Sequence, residues 1–241
     1  MQVEEITKFM MNEKTINDGD DLFSVSVYES EISSRFLLFA VGAGGHPSRY
    51  DSFLSELTNF GYFIVAPHFE MLRSPRPSEE QLTLRARRLS LALENYSRGF
   101  YSVCGVGHSI GATTLVAMSG ASIWLGPELH VSFKTQRRFS RLALLAPPTG
   151  FFLTPGALDE FSVPIQVWVG SEDHITPPDQ SKWLADALST KQAVDLKIVE
   201  GAGHFSFMDK IPPNAVEPLD NKHIFIQECA RGVSEYLTRA E

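Results

Sequence analysis

The sequence predicts an α/β fold, built on a mainly parallel sheet with helices on both faces. Three observations point there. Short apolar, β-rich runs alternate with helix-patterned stretches along nearly the whole chain. Several runs are continuously apolar, as strands covered on both faces must be. A glycine-flanked serine, Ser109, sits at the junction between one such run and the helix after it. No internal repeat, low-complexity tract or long linker interrupts the alternation, so residues 1–241 are expected to form a single domain.

The elements follow in order. Residues 22–28 alternate apolar and polar side chains and read as a half-exposed strand near a sheet edge. Residues 36–41 are apolar throughout and read as a buried strand. A glycine-rich turn leads to a helix over 48–60, with Tyr50, Phe53, Leu54 and Leu57 on one side. Residues 62–66 form another buried strand, stopped by Pro67. Ser78 is the N-cap of a long helix to about Arg98, and Gln81 completes a capping box. Leu82, Ala86, Leu89, Leu93 and Tyr96 recur along it at helical spacing. Residues 101–106 read as a strand and 112–118 as a helix packed on one side. Strands over 142–146, 165–169 and 196–199, with helices over 178–188 and 221–238, complete the set. The segments 120–140 and 147–163 are the least regular, and both are expected to leave from the sheet end that carries Ser109.

A formal charge of −8 argues against nucleic acid or an anionic membrane as the main partner. Two basic clusters, Arg85, Arg87 and Arg88, and Lys134, Arg137, Arg138 and Arg141, read as solvated surface. Cys104 and Cys229 offer neither a disulfide framework nor metal-ligand spacing, and Cys104 reads as a small core residue. Residues 1–11 carry acids and no continuous apolar core, so they do not resemble a signal peptide. No apolar run reaches membrane-spanning length. The expectation is a soluble cytoplasmic protein with reduced thiols.

Gly107-His108-Ser109-Ile110-Gly111 matches the G-x-S-x-G nucleophile elbow. A sharp strand-to-helix turn projects the serine hydroxyl out of the sheet, and the flanking glycines let strand and helix pass closely. A hydroxyl is a weak nucleophile and needs a base. His204 lies after the last expected strand and before the final helix, where it can reach back over the strand ends. His174 and His108 are the competitors. The base needs a carboxylate to fix its tautomer. Asp173 follows the strand over 165–169, with Glu172 and Asp209 as rivals. The order Ser109, Asp173, His204 is the chain order of the α/β-hydrolase triad. Oxyanion donors are expected from the Ile110 N–H and from the glycine loop after Val41, where Ala43 is the choice and Gly44 the runner-up. That loop lacks G-x-G-x-x-G and a Walker lysine, which excludes nucleotide binding.

With these residues in place, the chain resembles the α/β-hydrolase superfamily over roughly residues 36–237. More narrowly it resembles the dienelactone-hydrolase-like and platelet-activating-factor-acetylhydrolase-like serine esterases. The resemblance implies an acyl-enzyme mechanism without metal or organic cofactor, acting on a small-molecule ester, thioester or lactone. Two departures stand out. Val41-Gly42 occupies the place where such enzymes usually carry His-Gly, and Ser109 stands where dienelactone hydrolase proper uses cysteine. Only 17 residues, 147–163, separate two strands where superfamily members often insert a helical lid, so the lid is expected to be minimal. Phe151, Phe152 and Trp124 are the candidates for the substrate pocket wall, with the core as their alternative place. A non-catalytic α/β-hydrolase fold that binds a small ligand or partner is the second reading, and a cofactor-free haloperoxidase or perhydrolase a third. Nothing in the sequence points to an oligomeric state.

Overall fold

The computed structural model describes residues 10–136, 138–192 and 194–239. Most of the stretch considered for a signal peptide, residues 1–9, and Arg137 of the second basic cluster lie outside them. In chain order the elements are β1 (Met10–Asp18), β2 (Asp21–Glu29), β3 (Arg35–Ala40), α1 (Asp51–Asn59), β4 (Tyr62–Pro67), α2 (Glu79–Tyr96), β5 (Val103–His108) and α3 (Ile110–Met118). They continue with β6 (Ile123–Gly126), β7 (Leu129–Val131), β8 (Arg141–Leu145), β9 (Ile165–Gly170), α4 (Pro178–Leu188), β10 (Asp195–Val199) and α5 (Lys222–Leu237).

Eight strands form one sheet in the order β1-β2-β4-β3-β5-β8-β9-β10. The six from β4 to β10 run parallel, and β2 and β1 add antiparallel at one edge. Strand alternation explains why the central runs are apolar throughout. In β3, Phe36, Leu38 and Ala40 join the core beneath α2, α3 and α4, while Leu37 and Phe39 join the core beneath α1 and α5. The capping box of α2 is present, with the Ser78 hydroxyl accepting from Gln81 N–H and the Gln81 side chain accepting from Ser78 N–H.

Several expectations change. Residues 22–28 do lie near the sheet edge, one strand in, but they are mostly buried rather than half-exposed, because β1 pairs along the whole of β2 and covers it. The β1 sequence is mostly polar because only Ile16 and Asp18 turn inward. The strand before the serine is shifted two residues onward, leaving Tyr101 in solvent and His108 inside the sheet. Helix α3 is buried on every side rather than on one. Residues 120–140 do not leave from the Ser109 end. They follow α3 back to the opposite end, where Ser140 N–H meets the Val103 carbonyl at the start of β5, and they contain the β6–β7 hairpin. Among the first basic cluster only Arg87 is exposed. Arg88 is half-buried, and Arg85 is 3% exposed. Lys134 and Arg138 are exposed and Arg141 is half-buried. Cys104 and Cys229 are buried free thiols. Among the described residues no helix is long and apolar enough to cross a membrane.

Candidate active site

In an open parallel sheet, the loops after the strands gather at the carboxyl ends. Here those loops carry Ala43 after β3, Ser109 after β5, Asp173 after β9 and His204 after β10. Ser109 has φ 53° and ψ −129°, a left-handed conformation costly for any residue with a Cβ. It is clamped from both sides. Its N–H donates to the Leu145 carbonyl of β8 (2.8 Å), and its own carbonyl accepts from Ala112 N–H (2.9 Å). A Cβ on Gly107 would lie 2.6 Å from the Ala112 nitrogen, and one on Gly111 would collide with the Ala40 carbonyl oxygen. Both glycines are therefore set by close packing.

Ser109 Oγ lies 3.1 Å from His204 Nε2, and His204 Nδ1 lies 2.8 Å from Asp173 Oδ2. Asp173 is 1% exposed, with Oδ1 accepting from the N–H groups of Ile175 (2.8 Å) and Thr176 (2.7 Å). Burial pushes its carboxyl up. The bonds from His204 and from the Thr176 N–H and hydroxyl outweigh that and hold it below the usual carboxylate range. An ionised Asp173 accepting at Nδ1 puts the proton of a neutral His204 on that nitrogen. The Nε2 lone pair then faces Ser109. Thr176, not singled out in the sequence, closes this side: its Oγ1 lies 2.7 Å from Asp173 Oδ2, 3.0 Å from His204 Nδ1 and 3.2 Å from the Ala146 carbonyl. The Asp-x-x-Thr spacing was its available signal, since such turns fold back on their own backbone.

The other candidates fall elsewhere. His174 and Glu172 are exposed, and Asp209 accepts from Ser52 N–H (2.9 Å). His108 is buried beside His204, ring centroids 5.0 Å apart. Its Nε2 lies 3.0 Å from the His204 carbonyl and its Nδ1 2.9 Å from Tyr50 Oη. Burial first, and the neighbouring His204 second, push its pKa down to about 3, so the ring is neutral. A carbonyl can only accept. His108 therefore carries its proton on Nε2, Tyr50 donates to Nδ1, and Tyr50 Oη accepts from Gly42 N–H at 3.2 Å. This chain of bonds ties the glycine loop to the backbone of His204.

The architecture matches solved hydrolases. A predicted CIB-like hydrolase from Thermoplasma acidophilum superposes with a TM-score of 0.64 at 16% identity, over 95% of this chain and 100% of that one. An esterase from Pyrococcus furiosus gives 0.65 at 14% identity, over 96% and 91%. The acylaminoacyl peptidase of Pyrococcus horikoshii gives 0.68 at 12% identity, over 98% of this chain and 42% of that one. The chain has the α/β-hydrolase fold. No protein-family model and no curated protein matches the sequence.

Within that α/β-hydrolase fold, the first turn of α3 and the loop after β3 flank Ser109. Among the described residues neither the Ile110 N–H nor the Ala43 N–H has a protein acceptor. The loop's carbonyls, in contrast, are engaged. Gly42 O accepts from Gly45 N–H (3.2 Å), and Ala43 O accepts from Leu72 N–H (2.8 Å). Arg85 adds bonds to Val41 O (3.0 Å) and Gly42 O (3.3 Å). Of the residues considered for the pocket wall, Phe152 is 2% exposed in the core beneath α2, α3 and α4. Phe151 and Trp124 are half-buried against the same core, and Trp124 stacks on His130 with ring centroids 4.9 Å apart. Phe151 and Phe152 lie in a single 3-10 turn, Gly150–Phe152, within the short segment after β8. Among the described residues no three His, Cys, Asp or Glu side chains converge as a metal-ligand set.

Proposed function

We propose that this chain is a single-domain serine hydrolase that cleaves carboxylic esters through an acyl-enzyme on Ser109. The single observation that carries the reading is the unbroken line Ser109 Oγ, His204, Asp173, at 3.1 and 2.8 Å. Ser109 Oγ attacks the ester carbonyl carbon as its proton passes to His204 Nε2. The carbonyl π pair moves onto oxygen, where the N–H groups of Ile110 and Ala43 receive the negative charge. Collapse of this intermediate expels the alcohol, which takes the proton back from His204. Water then repeats the sequence on the acyl-enzyme, releasing the acid and restoring Ser109. The same machinery attacks thioesters and lactones.

The dienelactone-hydrolase-like and platelet-activating-factor-acetylhydrolase-like esterases are the relatives that the motif residues favour. A lining role for the half-buried Phe151 and Trp124 belongs to this reading, with the acyl group as their apolar partner, while Phe152, 2% exposed, stays with the core. Two buried free thiols suit a reducing cytoplasmic compartment.

A fluorophosphonate probe followed by intact mass and peptide mapping tests the proposal. One adduct on Ser109, with ester turnover lost on the order of 10⁴–10⁶-fold in Ser109→Ala, is the expected result. A folded protein that takes no adduct and hydrolyses no ester overturns it in favour of a ligand-binding role.

A further inference from the structure

Arg85 is a buried cation that the ester mechanism above leaves without a role. It projects from α2, and its partners are the carbonyl oxygens of Val41 and Gly42, with the guanidinium carbon 4.6 Å from the Phe69 ring centroid. Its neighbours Arg87 and Arg88 share the carboxylate of Asp18, whereas no carboxylate pairs with Arg85 among the described residues. Burial lowers its pKa to about 10, still far above neutral pH, so the charge persists.

The bonding pattern gives that charge a direction. Gly42 C=O and Ala43 N–H are the two ends of one peptide unit. Arg85 shares the oxygen end with Gly45 N–H, and the hydrogen end is an N–H without an acceptor among the described residues. A cation bonded to an amide oxygen draws electron density away from the nitrogen. That makes the N–H a stronger donor, by about 10–30% per bond in a low-dielectric setting. The same contact stops the peptide from flipping.

We propose that Arg85 is a positioning residue for the oxyanion site, fixing and polarising the Gly42–Ala43 peptide so that Ala43 N–H meets the developing negative oxygen. This rests on the hydrolase reading of Ser109. It also gives the Val41-Gly42 loop a support that does not depend on a histidine at position 41.

The test compares the full-length chain with Arg85→Met and Arg85→Lys, using a p-nitrophenyl ester and a trifluoromethyl ketone that forms a hemiketal on Ser109. Deleting a whole oxyanion donor costs about 10²–10³ in rate, so weakening one should cost roughly 10–100-fold in Arg85→Met. The loss should fall on kcat, with KM nearly unchanged and ketone affinity reduced by a similar factor, and Arg85→Lys should recover part of both. A drop in melting temperature with kcat and ketone affinity unchanged overturns the proposal. Fluorophosphonate labelling of the wild type separates the two readings. A labelled Ser109 with insensitive variants removes only the role of Arg85, and an unlabelled one removes both. If Arg85→Met does not fold, the wild-type Gly42 carbonyl-carbon and Ala43 amide-proton resonances decide: downfield displacement supports polarisation, and ordinary values overturn it.

Discussion

The two sides of Ser109 are built in opposite ways. Toward His204, each polar atom of the acid and its turn is met by protein: both Asp173 oxygens, the Thr176 hydroxyl and His204 Nδ1 all have partners within 2.7–3.2 Å. Toward α3 and the β3 loop, the carbonyls are engaged while the Ile110 and Ala43 N–H groups point at no protein acceptor among the described residues. A satisfied side holds one tautomer and one ring orientation. An unsatisfied side, braced from behind, is on the proposed hydrolase reading a place kept for an oxygen that the protein itself does not supply. Ile110 is buried and Ala43 half-buried, so two donors without protein acceptors beside a strained serine stand out against the fully paired acid side.

The sharpest way to break the contrast is Asp173→Asn. The amide presents a donor to Nδ1 and turns the proton of His204 toward Ser109. Ester turnover should fall about 10⁴-fold while circular dichroism stays native, and an unchanged kcat would remove Asp173 from the mechanism. Acid attacks the bridge between the two sides. Burial pushes the His108 pKa down to about 3 in the folded chain from its ordinary 6.5, so between those pH values the unfolded chain binds a proton that the folded one refuses. Stability should be full above pH 6.5 and decline as the pH falls toward 3, by up to about 1.4 kcal/mol per unit. Urea midpoints measured against His108→Asn check this: the variant should lose that part of the slope, and parallel curves refute it. Asp173, whose carboxyl is held below its ordinary 3.8, adds an acid loss in the same sense at lower pH.

Thr176→Val sharpens the comparison on the closed side alone. It keeps the shape but removes a hydrogen bond to a charged group, for which about 1.5–3 kcal/mol is usual. We expect kcat/KM to drop roughly 10–100-fold, with Thr176→Ser restoring most of it; equal activity in all three would assign the hydroxyl to folding only. The smallest effect belongs to neither side. Ser78→Ala should cost about 1 kcal/mol of stability through the lost cap of α2 and leave kcat untouched, as chemical denaturation and ester assays on one preparation would show.

Much of this arrangement is legible locally. The runs in β3, β4 and β5 are apolar because both sheet faces are covered, and α4 begins at the proline pair and ends where its apolar face stops. The serine turn is legible because Gly107 and Gly111 are demanded by contacts within the strand–turn–helix unit and with the strand beside it. What escapes depends on distant chain. In sequence Arg85 looks no different from Arg87 and Arg88, and only the loop more than 40 residues earlier makes it a buried ligand of carbonyls. Polar β1 shows no alternation because it contributes one apolar side chain, Ile16, to the core. His108 looks idle beside Ser109 until β10 and α1 bring His204 and Tyr50 to its two nitrogens.

The left-handed backbone at Ser109 has a consequence for the molecule as a whole. The residue is pinned there by β8 on one side and α3 on the other, and its partners arrive from β9 and β10. Four separate chain crossings must therefore be docked before the hydroxyl, ring and carboxylate can line up. A half-assembled sheet would release the serine to relax into an ordinary conformation and scatter its partners together. On the hydrolase reading proposed above, ester turnover would therefore gauge assembly as all-or-none, with no partially folded form left holding a fraction of the chemistry.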